Sequence, residues 1–81
     1  MMFSDYPKGA YVDCEYLDRE TDEVFLVELP KRENETAEHF IKRCNVIAND
    51  YFAQPEFIRL VDPEEAEILG YNFILFPPFQ L

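Results

Sequence analysis

The segment from Thr36 to Phe52 constrains the fold more than any other. Ala37, Phe40, Ile41, Cys44, Ile47, Ala48 and Tyr51 recur at spacings of three and four, which places them in one stripe of a helix, with Glu38, Lys42, Arg43, Asn45, Asn49 and Asp50 opposite. A helix with one apolar stripe needs one apolar surface to lie on. Thr36 or Asn34 supplies its amino-terminal cap, and Ala53-Gln54-Pro55 ends it, because a proline pushes the preceding residue out of the α region.

Strands must provide that surface. Ala10 to Leu17 alternates, with Ala10, Val12, Cys14 and Tyr16 as the core side and Tyr11, Asp13, Glu15 and Leu17 as the outer side. Asp18-Arg19-Glu20-Thr21-Asp22 is a polar turn, and Val24 to Leu29, closed by Pro30, completes an antiparallel hairpin with an acidic tip. Glu56 to Val61 is a third strand, read with Phe57, Arg59 and Val61 on one face and Ile58 and Leu60 on the other. In Asp62-Pro63-Glu64-Glu65 a cap precedes a first-position proline and acids that suit a helix start, so a short helix runs to Leu69 and stops at Gly70. A tight turn with a strand returning from Ala66 is the competing reading. Tyr71 to Phe76 forms the last strand and Pro77-Pro78 closes the sheet edge. The expected fold is α+β: a small, mainly antiparallel sheet in the order β-β-α-β-short α-β, with one amphipathic helix packed on one face. One compact domain spans residues 1–81, with a lead at 1–9 and a proline-containing tail at 77–81.

Charge decides what such a domain presents. Seventeen acids against seven bases give a net charge of -10, yet the chain carries eight Phe and five Tyr. Acidic disordered segments lack aromatics, so this is a folded chain with a negative surface. Residues 1–29 hold eight acids and two bases, residues 30–53 four of each, and residues 54–81 five acids and one base. The helical middle is neutral, and the acidity lies on the hairpin and the last third. A net charge beyond the magnitude of about 2 to 8 that suffices for a small domain leaves two readings open, a surface for basic partners or a solubility coat for an aromatic-rich domain; in either case it repels phosphates, which disfavours direct nucleic-acid binding.

Catalytic and metal chemistry find little support. Asp18-x-Glu20-x-Asp22 has the spacing of a calcium loop, but Glu23 stands where its glycine belongs and Leu29 where its bidentate glutamate belongs. His39 is the only histidine and lacks partners for zinc; Ser4 is the only serine and lies in a lead read as disordered. Cys14 and Cys44 fall on apolar faces as free thiols, and the dipole of the short helix explains Glu64 and Glu65 without acid–base chemistry. With only Gly9 and Gly70, the chain has no phosphate loop. The expectation is no enzyme, no cofactor and no metal. No signal-like leader opens the chain and the apolar run from Tyr71 to Phe79 is too short to span a bilayer, so the expected place is the cytoplasm, that of a host cell if the chain is viral.

In its layout, an acidic hairpin from Tyr11 to Leu29, a helix from Thr36 to Phe52 and a strand from Glu56 to Val61, the chain resembles the small acidic inhibitor proteins of phages and other mobile elements, among them anti-CRISPR and DNA-mimicking inhibitors. The resemblance is one of class and matches no signature residue by residue. It implies a non-enzymatic inhibitor whose carboxylates occupy the basic channel of a host nucleic-acid-binding defence complex. The expected partner contacts are Asp18, Glu20, Asp22, Glu23, Glu64, Glu65 and Glu67, with Tyr11 and Tyr71 as aromatic anchors at the rim. The alternative is a structural or regulatory interaction module, a homodimer joined through the aromatic C-terminal strand.

Overall fold

In the computed structural model, which describes residues 2–70 and 74–75, the two alternating segments pair directly. β1 (Tyr11–Asp18) and β2 (Glu23–Pro30) form an antiparallel hairpin in unbroken register, from Tyr11 opposite Pro30 to Asp18 opposite Glu23. β3 (Pro55–Val61) lies antiparallel on the other side of β1, and β4 (Ile74–Leu75) runs parallel to β2, giving the order β3-β1-β2-β4. With α1 (Ala37–Tyr51) and α2 (Pro63–Leu69) added, the protein is a small α+β domain built on three antiparallel strands, in the expected element order. The remaining parts of the last strand and tail expected at 71–81 lie outside the described residues.

α1 starts where the chemistry requires. Thr36 Oγ1 accepts the His39 N–H at 3.1 Å, while Asn34, the other candidate cap, takes a left-handed φ of 58° inside the preceding loop. The stripe buries Phe40, Cys44 and Ala48 against Val12, Cys14 and Tyr16 of β1 and Phe25, Val27 and Leu29 of β2. Tyr51 departs from the expected stripe and is 56% exposed. Phe52, one residue past the helix, fills the place instead: its ring stacks on Phe25 at 4.1 Å between centroids, and Phe25 stacks in turn on Tyr16 at 5.3 Å. Such pairs add about 0.5–1.5 kcal/mol beyond the area they bury, which is where much of the aromatic load is spent.

The faces of β3 differ from the simple alternation. Glu15 pairs with Arg59 but Tyr16 pairs with Phe57, so Ile58 is an extra residue, a bulge that reverses the alternation. Phe57 and Leu60 therefore share the α1 face, and Arg59 lies with Val61 on the other.

α2 covers that second face. Asp62 caps it by accepting the Glu64 N–H at 2.9 Å, Pro63 holds the first position, and Gly70 ends it at a left-handed φ of 69°. The returning strand is not adopted. Ala66 packs on Leu26 and Val61, so both faces of the sheet are covered, and Asp13 and Glu15, expected on an outer side, are buried. The lead is also fixed: Phe3–Asp5 forms a 3₁₀ turn, Phe3 packs on Phe40, and Lys31 Nζ donates to the carbonyls of Phe3 and Tyr6.

Glu35 ties the loop before α1 to the helix. Its side chain is 1% exposed and accepts two bonds of 2.7 Å from Arg43, one from the Arg32 N–H at 2.9 Å, and contacts His39 Nδ1 at 2.6 Å. Burial alone would raise the Glu35 pKa, but these donors outweigh it and hold the carboxyl down at about 2. Arg43 also donates to Pro30 O, joining the end of β2 to the helix. Arg43→Ala removes the guanidinium from a buried carboxylate and leaves it the Arg32 N–H and His39; the expected loss is about 3 kcal/mol of unfolding free energy at neutral pH, measured by urea denaturation.

Candidate functional site

The hairpin tip is an ordered structure of its own. Asp18 is 4% exposed and its carboxylate faces inward on the turn, accepting the Glu20 N–H at 3.1 Å and the Thr21 hydroxyl at 3.0 Å, while its carbonyl accepts the Asp22 N–H at 2.8 Å. Asp22 sits at φ 62°, a left-handed conformation that a short polar side chain tolerates. Of the expected contacts at this end, Asp18 is the organiser of the turn, and Glu20, Asp22 and Glu23 are exposed. The tip is held to the start of β3 by Arg19, whose N–H donates to Gln54 O at 3.0 Å and whose guanidinium pairs with Glu56.

Glu64, Glu65 and Glu67 stand on α2, all exposed. Arg59 links this helix to the sheet, with Nε 2.9 Å from Glu15 and Nη1 3.1 Å from Glu65. No ion pair joins Glu20, Asp22, Glu23, Glu64 or Glu67 to a base among the described residues. Tyr11 is 47% exposed but lies at the opposite end of β1 from the tip, about 23 Å away at the rise of a strand. Tyr11 and the tip therefore do not share one small patch. Tyr71 lies outside the described residues.

Two further groups near these acids, one of them buried, were not singled out by sequence reasoning. Tyr6 comes from the lead, and its hydroxyl donates to Asp62 at 2.7 Å; burial, that bond, and the charges of Asp62, Asp13 and Glu64 push its pKa up to about 12. The same bond keeps the Asp62 carboxyl below its ordinary range. Nothing in the sequence links residues 6 and 62 until β3 brings the start of α2 back beside the lead.

Asp13 is the other. It is 1% exposed, and neither carboxylate oxygen has a donor. Its cross-strand neighbour on β2 is Glu28, its neighbour on β3 is Val61, and Asp62 adds a further negative charge. Burial first, then the bond to Glu28 and the charges of Glu28 and Asp62, push the Asp13 pKa up to about 8. The carboxyl keeps its proton, and with it becomes the donor to Glu28. A like-charged pair at this place would be repulsive across the ladder; a shared proton makes it a hydrogen bond.

Among the described residues no group of three or more His, Cys, Asp or Glu side chains is arranged to hold a metal ion, and no helix is long and apolar enough to cross a membrane. Cys14 and Cys44 are free and buried; contact with Cys44 and burial raise the Cys14 pKa, so the thiol is held in its un-ionised form. Compared with known proteins, the chain matches no family model, no curated protein and no solved structure.

Folded Asp13 binds a proton that the unfolded chain has already released. Stability therefore declines as pH rises from the ordinary carboxylate range towards about 8 and levels off above it. Asp13→Asn, which keeps a donor towards Glu28, is expected to flatten that decline and to stabilise the protein by about 1–3 kcal/mol at pH 8, read from urea denaturation across the pH range. An unchanged slope would mean that another group carries the proton.

Proposed function

We propose that the protein is a non-enzymatic inhibitor that docks its acidic surface on the Lys/Arg surface of a nucleic-acid-binding partner, in the manner of anti-CRISPR and DNA-mimicking proteins. One observation carries the reading. Four of the seven bases are engaged internally: Arg19 with Glu56, Arg43 with Glu35, Arg59 with Glu15 and Glu65, and Lys31 with backbone carbonyls. Among the described residues the carboxylates of Glu20, Asp22 and Glu23 pair with no base, and they stand on a turn that internal hydrogen bonds hold in one shape.

Fixed, exposed charges of one sign steer an oppositely charged partner and lose less conformational freedom on docking than charges on a floppy tail. They also compete with phosphates for the same cations, because both are anionic acceptors of N–H donors. Inhibition follows from occupancy, with no bond made or broken. Glu64 and Glu67 on α2 extend the surface, and Tyr11 supplies an aromatic contact at its far end.

Immobilised protein and host lysate test the reading at about 50 mM and about 500 mM salt, where screening differs several-fold in range. A nucleic-acid-binding protein should be retained at low salt, released at high salt, and displaced by an oligonucleotide. Reversing Glu20, Asp22 and Glu23 to Lys should weaken that binding by about tenfold or more at low salt and reduce its salt dependence. Retention that an oligonucleotide does not affect, with equal affinity of the triple variant, would overturn the proposal.

A further inference from the structure

A cleft opens where the lead meets the junction of β3 and α2. Phe3, Tyr6, Leu60 and Val61 give it apolar walls and Asp62 and Glu65 stand in it, around a space of about 140 Å³. That is below the roughly 300 Å³ at which small-molecule pockets begin, and about four or five water volumes. The space suits one long side chain. We propose that this cleft receives a single arginine side chain of the basic partner, its stem against the apolar walls and its guanidinium between Asp62 and Glu65. The inference rests on the acidic docking reading above and names a point of contact for it.

The walls and the charges sit in the order that an amphipathic cation needs. Phe3 and Leu60, both half-buried, line the cleft beside Asp62, the cap of α2, so apolar surface lies next to carboxylate. An arginine buries its methylenes along such a wall and keeps its head at the polar end. Both Asp62 oxygens already accept one bond, from the Tyr6 hydroxyl and the Glu64 N–H, which fixes the carboxylate in place and leaves each a further lone pair. Glu65 Oε1 accepts from Arg59 at 3.1 Å, and Oε2 is open among the described residues.

The electrostatic setting has the matching sign. Asp62 and Glu64 both act on the Tyr6 hydroxyl as negative charges, and Asp62 and Glu65 line the cleft, so the potential there is negative. Lys31 lies behind Phe3, 4.8 Å from its ring centre, and its charge is taken up by the Phe3 and Tyr6 carbonyls. Arginine suits the place better than lysine because a planar guanidinium can bridge two carboxylates, lies flat against rings such as Phe3 and Tyr6, and is more weakly hydrated.

The probe is N-acetyl-arginine amide titrated into the isotope-labelled full chain and followed by amide chemical shifts. Saturable shifts are expected at Tyr6, Leu60, Val61, Asp62 and Glu65, with a Kd on the order of a millimolar. N-acetyl-lysine amide should bind several-fold more weakly and N-acetyl-norleucine amide not measurably. The double variant Asp62→Asn with Glu65→Gln should weaken arginine binding by about tenfold, since it keeps shape and hydrogen-bonding capacity but removes both charges. Glu65→Gln alone, at an exposed helix position, should weaken it by a smaller factor and serves where the double variant does not fold. Shifts confined to Glu20, Asp22 and Glu23 would overturn the cleft as the arginine site while leaving the acidic docking surface intact. Equal binding of the norleucine derivative, or no saturable shift at the cleft, would overturn it as well.

Discussion

The structure depends on β1 being covered on every side. It has β2 on one edge and β3 on the other, α1 over one face and α2 over the second. Apart from Tyr11 and Leu17, the residues of β1 have no solvent side, so each of them must satisfy itself within the protein. Val12, Cys14 and Tyr16 do so by packing. Glu15 does so with Arg59, Asp18 by closing the turn, and Asp13 by retaining a proton. Three acids on one buried strand are resolved in three different ways, and each resolution fixes a neighbouring element in place.

The same logic governs the bases. In a chain so short of cations, each one spent inside leaves the exterior more negative. Arg43 and Lys31 secure the end of the sheet where the lead, the loop and the start of α1 meet, whereas Arg19 and Arg59 secure β3 and α2. Stability and surface potential are therefore not separate properties of this protein. The ion pairs that hold the elements together leave Glu20, Asp22 and Glu23 at the tip and Glu64 and Glu67 on α2 without a base among the described residues, and a domain that bound through those acids would draw its specificity from the same network that keeps it folded.

Much of the fold was legible because it rests on local patterns. Thr36, Asp62 with Pro63, and Gly70 mark helix ends by mechanisms that act within one turn, and the structure uses all of them. The faces of β1 and β2 towards α1 follow from alternation alone. Illegible parts share a different cause, namely contacts between residues distant in the chain. Ile58 is a bulge only because β3 must match β1 across the intervening residues 19–54, and Tyr6 meets Asp62 only once that match is made. Asp13 looked like an outer residue because nothing in the alternation announces a second helix over that face. For the candidate site, the exposure of Glu20, Asp22 and Glu23 was readable from a polar turn, but the inward role of Asp18 was not, since spacing cannot tell a carboxylate that closes a turn from one that faces water.

The bulge at Ile58 also bears on what the sheet can recruit. Among the described residues β3 has a partner on one edge only, and an unpaired border strand is a template on which a further strand can grow. Here the border is irregular: it begins with a proline, bends at Ile58, and carries Glu56 and Arg59 already tied to the body of the protein. A second strand arriving there would meet a broken ladder and two anchored charges. The aromatic-rich sheet is thus guarded at that border against open-ended stacking, and a surplus of negative charge is one safeguard among several.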